Sequence, residues 1–382
     1  MTKEGYGTDF AMMGNMTRTA ALCVFTFLLA SLGAQQSLKN LELRFRSEMQ
    51  KMDASSPSPE EQNRLFDRHV TELRGFLKNT AKGDDRWNGR LWLAELELVR
   101  GNRPAATEVL KEIDGLEAPG MLLVSAASMA QYLNLIKLRD EWIKLAATKD
   151  APLLDRMAMA RILMTVLREI KLGEDIFAKA LAEAKDDEQK SFVMWHRADA
   201  LRDREDLPEN TGFEELEKLA KALPNTYWGS VAQDRLRATR LKVGDDAIAI
   251  NAKTMDGTPF SSTAALGKAL VIAFFTAADY DGPRLITLLT DLQQKHKDLA
   301  IVGISLDRDI NEIKASIKSL GINFPVIGDG KGPGTDAALR WFVEGPVVHV
   351  LNKQGKVAGL GLQAGTNDGR AEMNAVIERA LR

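Results

Sequence analysis

Two carboxylates, Asp279 and Asp281, flank Tyr280 and precede Gly282 in the run AFFTAADYDGPRLITLL, residues 273 to 289. Acids spaced this way at the exit of an apolar run can serve a non-thiol enzyme, bind a cation, or accept the free N–H groups of a helix start. Asp-x-Asp-Gly lacks the ligand count and spacing of a calcium loop. Pro283 suits the first turn of a helix, where nearby acids complement the positive end of the dipole. The plain expectation is therefore a helix start. The sharper one is an acidic cleft of Asp279, Asp281 and Glu344 that takes a cation or a basic peptide. Other chemistry is sparse. His69 and His196 sit in helical runs with no second His, Cys or paired acid at metal spacing, so no metal site is read and no cofactor is expected. The only cysteine is Cys23.

Cys23 lies inside AALCVFTFLLASL, residues 20 to 32, behind Met16 and Arg18 and ahead of Gly33-Ala34. A basic start, a short apolar run and small residues behind it form a secretory signal, residues 1 to 34, with translation beginning in effect at Met16. The uncharged stretch Thr19 to Ala34 has 16 residues, short of the roughly 20 that a spanning helix needs. An exported protein, periplasmic or extracellular, is expected; an uncleaved membrane anchor is the alternative. Removal of the signal leaves a chain with no thiol, hence no disulfide and no thiolate nucleophile.

The elements that position these residues divide the chain. Its 382 residues exceed one ordinary core, and 51 basic against 53 acidic side chains give no electrostatic reason to expect nucleic acid. Residues 35 to 240 read as α-helical. Trp92, Leu96 and Val99 share one face, Gly101-Asn102 breaks the helix, and Ala106, Val109, Leu110 and Ile113 line the next. The stretches at 94 to 113 and 213 to 236 resemble tetratricopeptide-type (TPR) hairpins, with Ala106 where that family packs a small residue. Trp87, Trp92, Trp142, Trp195 and Trp228 are read as core. From residue 241 to 382, apolar runs at 269–275, 300–305 and 347–351 alternate with helical runs, as in an α/β sheet covered on both faces.

That second region resembles the redoxin branch of thioredoxin-like proteins, which includes TlpA-type thiol–disulfide proteins and the alkyl hydroperoxide reductase/thiol-specific antioxidant type. Val243-Gly244, Asp256-Gly257, Leu266-Gly267-Lys268 and Phe274-Phe275 follow the family's opening. The stretch VGISLD followed by FPVIGD, and then GPVVHVLNKQGKV, follow its remainder. The resemblance implies a thioredoxin-like fold and a proline loop, here Glu344-Gly345-Pro346, facing the turn and pairing with extended peptide. It also places the family's W-C-x-x-C on Ala278, Asp279, Tyr280, Asp281 and Gly282, so that both sulfurs are lost. His349 falls where the family has a buried aromatic and is read as packed. Thiol exchange and peroxide reduction both need a thiolate. The expectation is a two-domain protein, all-α TPR-like hairpins followed by an α/β thioredoxin-like fold. It would act as a non-catalytic binding or scaffold module for a protein or peptide, bound by the helices or by the groove around Asp279, Tyr280, Asp281, Glu344 and Pro346. The alternative is the oxidoreductase or peroxidase activity that the family implies.

Overall fold

The computed structural model describes residues 36–53, 58–80, 83–208, 210–277 and 282–382. The expected signal, residues 1 to 34, lies outside them. The chain forms two compact units, one running to Ala184 and including Asp203–Asp206, the other comprising Lys185–Arg202 and Leu207–Arg382.

Among the described residues, eight helices build the first unit: α1 (Gln36–Asp53), α2 (Pro59–Asn79), α3 (Asp84–Val99), α4 (Arg103–Lys111), α5 (Gly120–Tyr132), α6 (Ile136–Thr148), α7 (Leu153–Thr165) and α8 (Ile170–Glu183). Ser58 starts α2 with a reciprocal cap, its hydroxyl accepting the Glu61 N–H while the Glu61 carboxylate accepts its own. The pairs α3–α4, α5–α6 and α7–α8 are hairpins closed by one recurring turn. In each, a left-handed residue is followed by one with φ near −90° and ψ near 60°. The left-handed residues are Gly101 (φ 80°), Asn134 (φ 63°) and Arg168 (φ 61°), and Asn102, Leu135 and Glu169 follow them. The separation is 33 residues from Gly101 to Asn134 and 34 from Asn134 to Arg168. Tight helix packing within a hairpin needs small residues. A Cβ on Gly173 of α8 would stand 2.3 Å from Cγ of Met164 in α7, and Ala106 is fully buried between α3 and its neighbours. Trp87, Trp92 and Trp142 are core, as expected.

The second unit opens with α9 (Asp187–Arg202), α10 (Thr211–Ala222) and α11 (Tyr227–Ala238), packed around Trp195, Leu216, Leu219 and Val231. A short antiparallel ribbon follows, β1 (Asn251–Lys253) with β2 (Pro259–Ser261). The five-stranded sheet then has the order β5-β4-β3-β6-β7, with β3 (Ala269–Phe275), β4 (Leu299–Ser305) and β5 (Val326–Ile327) parallel. The strand β6 (Val347–Leu351) runs antiparallel to β3, and β7 (Val357–Leu362) runs antiparallel to β6. The whole of β3 is buried, because successive side chains enter opposite cores. Val271, Ala273 and Phe275 face α12 (Gly282–Lys295), α13 (Ile310–Ser319) and α15 (Asn367–Leu381). Leu270, Ile272 and Phe274 face α14 (Asp336–Trp341) and residues 248–250. The helices fasten to this second face: Leu339 of α14 joins the α9–α11 cluster, Tyr227 donates to Asp336 at 2.8 Å, and Arg340 donates to Asp234 at 2.6 Å. The all-α hairpins followed by an α/β sheet match the fold class read from the sequence.

Candidate functional site

In an open α/β sheet, groups at the carboxyl ends of the parallel strands are the ones free to meet a ligand. Here that edge is the exit of β3 and β4. Leu306 donates its N–H to the Phe275 carbonyl at 2.8 Å. Asp307, 5% exposed, then turns its carboxylate back on β3, accepting the Ala277 N–H on both oxygens at 3.1 Å. The Ser305 hydroxyl donates to the same carboxylate at 2.6 Å and accepts the Asp307 N–H at 3.1 Å. A buried carboxylate is tolerated when donors surround it, and these donors fix the last residue before the turn.

Asp279, Tyr280 and Asp281 lie outside the described residues, as does Ala278. The far end of the turn is described. Gly282 opens α12, and a Cβ there would stand 2.3 Å from the Thr276 carbonyl oxygen and 3.3 Å from Cα of Ala277. Both contacts are backbone, so no side-chain rotation relieves them, and only glycine fits. Ala277 is thus held by Asp307, and Gly282 by close backbone packing against Thr276.

Pro346 stands at the other wall. The antiparallel register pairs Phe274 with Val347, and continuing it by one residue sets Pro346 abreast of Phe275, at the end of β3 where the turn begins. Pro346 is exposed. Glu344, two residues earlier, is held by guanidiniums: Arg202 of α9 lies 2.9 Å away and Arg235 of α11 lies 3.8 Å away. His349 is buried on the sheet face opposite α12. Its ring stacks on Trp341 with centroids 5.0 Å apart and planes at 19°, and its Nδ1 accepts the Gly361 N–H at 3.1 Å. Burial pushes its pKa down to about 4, so the ring is neutral near pH 7. Among the described residues, no group of three or more His, Cys, Asp or Glu is placed to hold a metal ion.

Sequence reasoning missed Arg202, Arg235 and Asp307. Asp307 stood within a stretch that follows the family's V-S-x-D, which was the available signal.

Residues 243–359 match the model of the AhpC/TSA family. This region is a redoxin-type thioredoxin-like domain. Solved structures similar to the redoxin-type domain include a thiol:disulfide interchange protein of the thioredoxin family from Chlorobium tepidum. It is 25% identical, spanning 36% of this chain and 97% of that one, with a TM-score of 0.31. A thiol-disulfide oxidoreductase from Bacteroides fragilis is 20% identical over 34% of this chain and 99% of its own, with a TM-score of 0.30. A secreted disulfide oxidoreductase of Mycobacterium tuberculosis is 18% identical over 34% and 95%, also at 0.30. No curated protein matches the sequence. Among the described residues, no helix is long and apolar enough to cross a membrane.

Proposed function

We propose that this protein is an exported, non-catalytic binding module, in which the redoxin-type domain keeps the groove beside Pro346 and not the redox chemistry. One observation carries the reading: the position aligned with the family's second cysteine is Gly282, where a Cβ would collide with the Thr276 carbonyl. The composition supports it, since no cysteine occurs after Cys23. A thiolate is the attacking group in disulfide exchange and the reductant of peroxide, and no other side chain replaces it in either role. Pro346, exposed just ahead of β6 and abreast of Phe275, offers an edge beside which an extended peptide pairs through its backbone, and such pairing requires no sulfur. The recurring turns at 33- and 34-residue separation support a TPR-like reading of α3–α8, whose stacked hairpins offer a second surface for a protein partner. Export is supported by the apolar run 20–32 behind Arg18.

The test is direct. Purified protein beginning near residue 35 is expected neither to reduce insulin disulfides nor to consume peroxide in the presence of a dithiol. Saturable turnover in either assay would overturn the reading in favour of the family's oxidoreductase activity.

A further inference from the structure

Four residues before Pro346 the chain adopts a conformation that bulky side chains avoid. Phe342 ends α14 with φ 53° and ψ 51°, the left-handed region in which a residue carrying a Cβ is strained. The Phe342 and Val343 amides close the turn onto the Leu339 and Ala338 carbonyls at 3.4 and 2.9 Å. The surroundings supply the reason that the turn persists. The Arg235 guanidinium lies 4.5 Å from the centre of the Phe342 ring and that of Arg202 lies 5.5 Å from it. Phe213 of α10 meets the ring edge-on at 5.6 Å. The same two guanidiniums hold Glu344, while Asp199 lies 3.2 Å from Arg235 and 3.6 Å from Arg202.

Arg235 is only 3% exposed. A buried guanidinium is unfavourable unless its charge is matched, and here two carboxylates and the faces of Trp195 and Phe342 match it, although its Nε has no hydrogen-bond partner among the described residues. Such matching fixes the position of the matched groups. We propose that Arg202 and Arg235 are positioning residues for the Phe342–Pro346 segment, so that the wall carrying Pro346 is set only with helices α9–α11 in place. This inference rests on the groove reading above. Preorganising one wall spares a bound peptide the cost of ordering it, so peptide affinity is coupled to the state of helices α9–α11.

Hydrogen–deuterium exchange on the full chain tests the idea. Glu344 is an exposed side chain, so Glu344→Gln removes its charge without disturbing a core. The expected result is about threefold faster exchange at the Phe342 and Val343 amides, the scale of one exposed ion pair, with β3 and β4 unchanged. Arg202→Met is expected to do the same, and Arg202→Lys, which keeps the charge, to recover most of the protection. Unchanged exchange at these amides in both Glu344→Gln and Arg202→Met would overturn the proposal. A short fluorescent peptide of alternating serine and valine, titrated by anisotropy, separates this claim from the groove reading. Weaker binding to Glu344→Gln than to wild type supports the coupling, and equal binding to both refutes it. If wild type ignores the peptide while Glu344→Gln still loosens the segment, the groove reading fails and the positioning role stands.

Discussion

His349 shows how much one buried imidazole can cost. Its Nδ1 accepts a backbone N–H, its Nε2 has no partner among the described residues, and burial holds its pKa down to about 4. The unfolded chain takes up the proton near pH 6.5 and the folded chain only near 4. Folding is therefore undisturbed above about pH 6.5, and stability falls as the pH drops from there towards 4, by about 3 kcal/mol in all. Replacing the imidazole with a ring that does not titrate removes this slope at the cost of one hydrogen bond, about 1 kcal/mol. We expect His349→Phe to be less stable than wild type near pH 7 and to lose about 2–3 kcal/mol less between about pH 7 and pH 4.5. Urea unfolding at the two values measures it, and equal losses would sink the assignment. The residue was legible as packed through the resemblance, because it falls where the family has a buried aromatic. Its lack of an Nε2 partner was not, since that depends on what α14 brings over the sheet.

The hairpin turns are where an element-scale change reads most cleanly. Gly101, Asn134 and Arg168 take the same left-handed conformation, yet only the first is free of strain there. Arg168→Gly relieves about 1 kcal/mol and gives up only exposed pairs with Glu205 and Asp206 at 3.5 and 3.4 Å, so a net gain of about 0.5 kcal/mol is expected. Gly101→Ala meets no atom within 4 Å and is expected to cost about 1 kcal/mol from backbone strain alone. Thermal melts of both variants check this; a shift of the same sign in each would contradict the shared-turn account. Legibility among the elements follows from pattern strength. The strand β3 announced itself as an unbroken apolar run, because both its faces are buried. The strand β5 has two residues, and β7 carries Gly359 and Gly361, so neither presents a period that a strand could be read from. The turn at Gly101 showed itself by its glycine, whereas Arg168 hid the same turn behind an ordinary helix-favouring residue.

At the scale of the whole molecule, the question is where the chain can be cut. The helices α9–α11 lie in one compact unit with the sheet, and Ala238 and Leu241 pack on the sheet's second core while Leu339 packs among the helices. The sequence pattern changes at residue 241, and that change is all that a reading of periodicity detects. Arg202 and Glu344 meet across 142 residues of chain, and on a helix a lone arginine reads as solvated surface. A fragment of residues 185 to 382 is expected to melt cooperatively and stay monomeric. Residues 241 to 382 alone would bare Leu339 and Phe342 and leave Arg340 without Asp234, so a lower melting point and aggregation are expected. Calorimetry and gel filtration compare them, and equal melting temperatures would show that the helices add nothing to the domain.

The glycine at the head of α12 has a longer reach than its size suggests. A single base change in a glycine codon can specify cysteine, yet at position 282 that cysteine would arrive with its Cβ inside the Thr276 carbonyl. The backbone would have to shift before the sulfur became useful, and until it did the change would only be harmful. Substitution at position 282 is therefore constrained by the backbone: selection can alter the side chains around Gly282 far more readily than it can place a side chain at that position.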